Sequence, residues 1–296
     1  MKNEPTKKHH LAIILVNYNG SFWLKKTLTS LKEFYLTKTK NKVEVWVVDN
    51  NSHDDSVAMV KDNFPWVKLI VNQENFGFAK GNNIAIKETE ADYIMLLNSD
   101  TQLIKESNLD QLINYLYEHK EVGMIGPKLL LTNGNLDPAC HRGEPTLWAS
   151  FAYFLGLEKI FPKIKFFNLY HRHDLDLATI HPVEAISGAA MIVSRPALNT
   201  VGLLDEDFFL YGEDLDWCKR FRDHNFQIIY HPEVIIIHHK NKSGIENKDQ
   251  KIKQKSNSFF YSTMLQYYDK HYAKCYPKLI RYLVRIGLFI KKEGNY

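Results

Sequence analysis

Continuous apolar runs alternate with amphipathic stretches through the first half of the chain. Leu11–Val16 is apolar at every position, as expected of a strand covered on both faces. Ser21–Glu33 follows at helical spacing, with Phe22, Leu24, Leu28 and Leu31 forming an apolar face. The β-branched run Val43–Val48 ends at Asp49, and Ser52, Asp54 and Asp55 offer caps for a helix over Val57–Asn63. Val67–Val71 reads as a third strand, Gly77–Lys87 as a loop passing into a helix, and Tyr93–Leu97 as a fourth strand running into Asn98-Ser99-Asp100. Asn108–His119 is helical and Val122–Ile125 is strand. This alternation predicts an α/β fold: a Rossmann-like, mostly parallel central sheet flanked by helices.

The pattern loosens after Pro127. Asn133-Gly134-Asn135 marks a hairpin turn. The aromatic-rich Leu147–Tyr170 reads as helix or loop, Ala185–Val193 as strand, Glu213–Arg222 as helix and Val234–His238 as a last buried strand. From Asp249 onward the chain reads as a helical extension. The expected division is a domain over 1–244, with a nucleotide-binding half at 10–127 and a catalytic half at 128–244, then a basic extension at 245–296.

Composition changes this picture little: 45% of the 296 residues are apolar and 24% charged. The net charge of +4 is unevenly placed. Residues 240–296 hold 13 Lys+Arg against 4 Asp+Glu, a charge of +9, which leaves the remainder at −5. An acidic body argues against nucleic acid as a partner. Three scattered cysteines, Cys140, Cys218 and Cys275, form no CxxC pair and no disulfide framework, which suits a reducing, cytoplasmic setting. No apolar stretch approaches the ~20 residues of a spanning helix.

In an open α/β sheet, ligands bind outside the carboxyl ends of the strands. Three polar clusters fall there: Asn17-Tyr18-Asn19, Asp49-Asn50-Asn51-Ser52 and Asn98-Ser99-Asp100. Asn and Asp also end strands in ordinary turns, so one such cluster alone decides nothing. Together they offer acceptor groups for a ribose, a base or a divalent metal. The first strand leads into Asn17-Tyr18-Asn19-Gly20, not GxGxxG, and no GxxxxGK[ST] loop exists. Phosphates are then left to a metal and to backbone N–H groups. The segment Asn75–Asn83, with Gly77, Lys80 and Gly81 before a helix, suits an anion or is a plain loop-to-helix junction.

The densest acidic cluster is Asp205-Glu206-Asp207 followed by Tyr211-Gly212-Glu213-Asp214-Leu215-Asp216-Trp217. Helix capping accounts for one or two carboxylates. More than that, closely spaced, raise one another's pKa and suit a general base. His238-His239 ends an apolar strand and reads either as a satisfied core pair or as a metal ligand.

The ordered set Val16-Asn17-Tyr18-Asn19, Val47–Ser52, Asn75–Ala79, Leu97–Asp100, Ser187–Ala190, Phe208–Asp216 and His238 with Ser243 resembles the GT-A glycosyltransferases of family 2, especially their bacterial rhamnosyltransferase-like branch. The resemblance spans Leu11 to Ser243. It implies an inverting, metal-dependent enzyme that moves a sugar from a nucleotide donor to a hydroxyl of a saccharide or lipid-linked saccharide in cell-surface polysaccharide synthesis. It further implies a nucleotide pocket made by Asn17, Tyr18, Asp49, Asn51, Gly77, Asn83, Ser99 and Asp100. Mg²⁺ or Mn²⁺ would sit on Asp100 with His238, Asp214 would be the catalytic base, and Gly188, Glu213 and Trp217 would meet the acceptor. The donor favoured by the resemblance is dTDP-rhamnose, with UDP-sugars next.

Two departures from the family pattern stand out. Asn98 replaces the first carboxylate of the DxD signature, and Lys240, Asn241 and Lys242 replace glycines common after the histidine. Those lysines would touch the diphosphate or lie on solvated surface. The QxxRW signature of processive members is absent, so one transfer per acceptor is expected. A non-catalytic nucleotide-sugar-binding scaffold on the same fold is the reading from another class, and it would be expected to lose Asp100 or the Glu213-Asp214 pair.

In the extension, Lys278, Arg281, Arg285 and Lys292 fall near one helical face, and Leu279, Ile280, Leu283, Ile286, Phe289 and Ile290 fill much of the rest. The pattern fits an interfacial helix on the inner face of the plasma membrane. It equally fits a helix packed on the catalytic domain or on a second copy in a homodimer.

Overall fold

The computed structural model describes residues 8–161, 164–240 and 250–293, of which 250–257 and 290–293 are described by backbone alone. Ser243 of the sequence pattern, Asn241, Lys242 and the side chains of Ile290 and Lys292 lie outside the described residues.

The first half forms as its apolar runs dictate. Strands β1 (His10–Asn17), β2 (Lys42–Asp49), β3 (Val67–Val71) and β4 (Tyr93–Leu97) alternate with helices α1 (Ser21–Leu31), α2 (Ser56–Asn63) and α3 (Gly77–Lys87). These strands pair in the order β3-β2-β1-β4, all parallel. Leu11–Leu15 of β1 is fully buried, which explains its unbroken apolar run. β1 and β2 stay in register to their last pair, Asn17 beside Asp49, so their polar ends emerge together at the carboxyl edge.

After the short β5 (Thr101–Leu103) and helix α4 (Leu109–Glu118), the sheet is extended by β6 (Val122–Leu131), β7 (His181–Pro182), β8 (Ala190–Ser194) and β9 (Gln227–His238). β8 lies antiparallel between β4 and β6, β6 runs parallel with β9, and β9 carries β5 and β7 antiparallel. The long ladders are thus parallel, and the short strands supply the antiparallel pairs. β6 and β9 are both longer than their apolar runs suggest. The register between them shifts where Pro127 pairs with His231 and Lys128 with Ile235, beside Pro232, which has no N–H to give the ladder. The stretch read as a strand from Ala185 becomes one only at Ala190. Before it, Ala185 pairs in isolation with Arg142, and Ala190 N–H closes a turn onto the Ser187 carbonyl.

Between β6 and β7 the chain forms helices α5 (Leu147–Phe154) and α6 (Leu157–Ile160), bounded by single 3-10 turns. Helices α7 (Arg195–Val201) and α8 (Glu213–Asp223) precede β9, and the extension is two helices, α9 (Gln250–His271) and α10 (Lys278–Glu293). α9 is integral to the fold. Asp216 of α8 is fully buried and ion-paired with Arg220, and also with Lys270 and His271 of α9. Among the described residues no helix is long and apolar enough to cross a membrane.

Candidate active site

Three strand ends and the start of α8 meet at the carboxyl edge of the sheet. At the first, the Asp49 carboxylate accepts from Ser52 N–H at 2.8 Å, Ser52 Oγ at 2.7 Å and Asn17 Nδ2 at 3.0 Å. Asp49 is 1% exposed, so in this structure it stitches β1 to β2. Asn17 is equally buried, and its Oδ1 has no partner. Asn19 and Asn51 both adopt left-handed backbone with φ of 52° and 62°, which asparagine tolerates better than most residues. Tyr18, 46% exposed, stands at the open face of this edge.

The Asn75–Asn83 segment is drawn into the fold more deeply than the sequence suggests. α3 begins at Gly77 itself, and its first two N–H groups are already used, Gly77 by Asn75 Oδ1 at 2.9 Å and Phe78 by the Phe209 carbonyl at 2.9 Å. Gly77 has φ +77°, and a Cβ there would collide with that same carbonyl. Asn83 does not fit its expected nucleotide role. It is 1% exposed and its amide is spent on Leu204 and Glu206. Lys80 stacks over Phe76 at 3.8 Å.

Around Asp100 the structure supplies what the sequence left open. His238 Nε2 lies 3.4 Å from Asp100 Oδ1, and its Nδ1 lies 2.8 Å from Asp137 Oδ2. Burial disfavours a charge on His238, but the carboxylates of Asp100 and Asp137 outweigh it and push its pKa up to about 9. Asp137 is fully buried; burial opposes its charge, yet His238 and Lys240 hold it well below the usual carboxylate range. Lys240 is exposed but tied down, its Nζ 2.7 Å from Asp137 Oδ1. Ser99 is fixed through its carbonyl, which accepts from Thr27 Oγ1 at 2.8 Å.

A carboxylate and an imidazole within one coordination distance, the imidazole backed by a second carboxylate, suit a divalent cation. Two protein ligands leave room for the phosphate oxygens and waters that Mg²⁺ usually keeps. The residues present therefore fit the metal that the resemblance implies. His239 is placed apart from this group, against Gln102 and the Trp23 ring.

The Glu213-Asp214 pair opens α8 directly after two left-handed residues, Tyr211 at φ 69° and Gly212 at φ 78°. Asp214 Oδ2 receives Arg142 Nη2 at 2.6 Å and Gly188 N–H at 3.3 Å, and its Oδ1 receives Leu215 N–H at 2.8 Å. Arg142 is buried. Burial works against its charge, but Asp214 holds it firmly protonated. Glu213 is buried with Oε2 unpartnered, and burial together with the Asp214 charge pushes its pKa up. Gly188 and Ala189 join the two acidic centres. Gly188 N–H holds Asp214, while the Ala189 carbonyl accepts Asn98 N–H at 2.9 Å.

Trp217 does not fit acceptor contact. It is fully buried, and its Nε1–H donates to the Gly202 carbonyl. Asp137 and Arg142 were missed in the sequence. Asp137 stands between Leu136 and Pro138 and Arg142 between His141 and Gly143, outside any motif, and the usable signal was charge balance, since a largely shielded acid such as Asp214 demands a cation.

A family model described as glycosyl transferase family 2 matches residues 12–176. An N-acetylglucosaminyl-diphospho-decaprenol L-rhamnosyltransferase of Mycobacterium tuberculosis is 25% identical over 241 residues, 78% of this chain and 76% of that protein. A low-salt glycan biosynthesis hexosyltransferase of Haloferax volcanii is 26% identical over 250 residues, covering 80% and 69%. Among solved structures, a mannosyltransferase from Pyrobaculum calidifontis in complex with GDP-Man and Mn²⁺ superimposes with a TM-score of 0.60 at 15% identity, over 97% of this chain and 71% of the other.

Proposed function

The chain belongs to glycosyltransferase family 2 and has the GT-A fold of that family, and from this premise we propose an inverting transfer of a sugar, rhamnose from dTDP-rhamnose first and a UDP-sugar second, to a hydroxyl of a lipid-linked saccharide. The observation that carries the reading is the clamp on Asp214. An aspartate meant only to cap α8 needs backbone donors, whereas Asp214 also has a buried guanidinium fixing one oxygen.

In this reading Tyr18, Asn51 and Ser99 border the nucleotide, and Asn17 and Asp49 shape that wall from behind. Gly77 sets the turn at its far side. Asp100 and His238 hold Mg²⁺ or Mn²⁺, which when bound offsets the negative charge growing on the departing diphosphate. Asp137 keeps His238 turned toward Asp100. The Asp214 carboxylate takes the proton of the acceptor hydroxyl as that oxygen attacks the anomeric carbon from the face opposite the diphosphate. One displacement of this kind inverts the configuration and needs no carboxylate nucleophile. Arg142 keeps Asp214 aimed, and the Gly188 N–H holds the same carboxylate oxygen. Glu213, its pKa raised by burial and by the Asp214 charge, lies next in chain to the base.

The donor preference is supported by the relative named as a rhamnosyltransferase, and peripheral contact with the inner face of a membrane by the basic α10. Donor hydrolysis with Mn²⁺, with and without EDTA, and a thermal-shift panel of dTDP- and UDP-sugars test the reading. Hydrolysis that EDTA stops and a larger shift with dTDP-rhamnose are expected. A panel in which no nucleotide sugar shifts the protein would overturn it.

A further inference from the structure

Beside Asp214 opens a groove of about 990 Å³, at the upper end of what small-molecule pockets enclose (~300–1,000 Å³). Arg142, Tyr211, Gly212 and Leu215 form its wall at the catalytic centre. From there it runs between α5, α9 and α10, past Phe151, Phe154, Met264, Ile280, Val284 and Leu288. Ser150, Thr263 and several tyrosines line it, yet most of its exposed wall is carbon. Its chemistry matches a hydrocarbon chain.

Both rims of the groove are apolar and exposed. On one side stands Phe151, 52% exposed, and Phe166, 58% exposed, packs on the lining ring of Trp148. On the other, α10 shows three stripes: Ile280, Val284 and Gly287 on the groove, Leu279, Tyr282, Ile286 and Phe289 exposed, and Lys278, Arg281 and Arg285 along the remaining arc. Asp269 is the carboxylate paired with this basic stripe, through Arg281 and Arg285, so the stripe keeps a positive balance. An apolar stripe beside a basic one fits an anionic bilayer surface. The groove thus leads from such a surface to Arg142 and Gly212, the neighbours of Asp214.

We propose that this groove holds the hydrocarbon chain of the lipid-linked acceptor and so delivers the saccharide hydroxyl to Asp214. The proposal rests on the reading of Asp214 as the base and names the class of acceptor: an amphiphile with a long unsaturated or saturated chain and an anionic head. Charge complementarity with α10 and continuity with the wall at Arg142, Gly212 and Leu215 favour this occupant over a second copy of the chain.

The test reads binding alone. Fluorescence of cis-parinaric acid is titrated with full-length protein, then competed with farnesyl phosphate, inorganic phosphate and phosphatidylglycerol vesicles. Two variants fill the groove: Gly287→Trp, at a position where an added Cβ meets open space, and Ser150→Phe on the opposite wall. Displacement by farnesyl phosphate and not by inorganic phosphate is expected, with at least a 10-fold loss of probe affinity in both variants and an unchanged thermal shift by dTDP. Displacement by the vesicles alone overturns the acceptor-chain assignment. Unchanged affinity in both variants overturns the groove, as does a concentration-dependent dimer that Gly287→Trp abolishes. Loss of the dTDP shift in the parent protein would instead strike the glycosyltransferase reading and leave the groove standing.

Discussion

Arg142 and Asp214 form an ion pair of 2.6 Å that is largely shielded from water, across 72 positions of sequence. Breaking such a pair leaves a buried charge uncompensated, at a cost of about 3–5 kcal/mol. Arg142→Met should therefore lower the thermal midpoint and also cut kcat, on the order of 10²-fold, as the base loses its aim. A double variant with Asp214→Asn should regain part of the midpoint without activity. A midpoint that Asp214→Asn leaves unrestored would remove the pair from this role.

Asp214→Asn alone should reduce turnover by roughly 10²–10⁴-fold while the thermal shift caused by dTDP persists. Stopped assays with the natural nucleotide and differential scanning fluorimetry separate the two effects. Turnover near the parent level would assign the base elsewhere.

Asp137→Asn should act on the metal through His238. Carboxylates behind a ligating histidine are typically worth 10–100-fold in metal affinity. The Mn²⁺ concentration for half-maximal donor hydrolysis should rise by about that factor, with kcat at saturating Mn²⁺ largely kept. An unchanged Mn²⁺ titration would detach Asp137 from the metal.

Gly77→Ala places a side chain at φ +77° against the Phe209 carbonyl. The left-handed conformation costs about 1–2 kcal/mol for a residue with a Cβ, before any steric relief. A fall in midpoint of roughly 2–4 °C is expected, together with a higher KM for donor. Gly81→Ala in the same helix, where the backbone is not left-handed and the neighbours are the Val16 methyls at 3.0 and 3.1 Å, not a carbonyl, should cost less.

Asp216 gives the pH prediction. Burial opposes its charge, but hydrogen bonds from His271 and Lys270 and the Arg220 charge bring its pKa down to about 2. A carboxyl held below its unfolded value of 3.8 stabilises the fold fully above that value and loses the contribution as pH falls from there toward 2. The amount is about 2 kcal/mol. Denaturant titrations of the parent and Asp216→Asn should converge across that window; parallel curves would exclude the linkage.

Much of this was legible in sequence because strand ends are local. Leu11–Val16 and Tyr93–Leu97 declare themselves by unbroken apolar runs, and the polar residues after them fall where the sheet must present them. The start of α8 at Glu213 was equally local. What sequence could not show was pairing at long range. Asp137 sits 101 positions from His238 and Arg142 lies 72 from Asp214, and no periodicity links them. Trp217 and Asn83 were misread for the matching reason. Both sit within motif-like stretches, yet helical geometry turns them inward to Gly202 and Leu204.

The Phe209 residue has a backbone carbonyl bonded to Phe78 N–H at the start of α3 and a ring stacked on Phe259 of α9 at 5.1 Å. One residue is therefore the shared hinge pin of two walls. Were the proposed nucleotide to displace α3 or the proposed lipid chain α9, either displacement would bear on this one residue. Coupling of this kind is reciprocal by thermodynamic necessity, so whatever factor the acceptor adds to donor affinity, the donor must return to the acceptor.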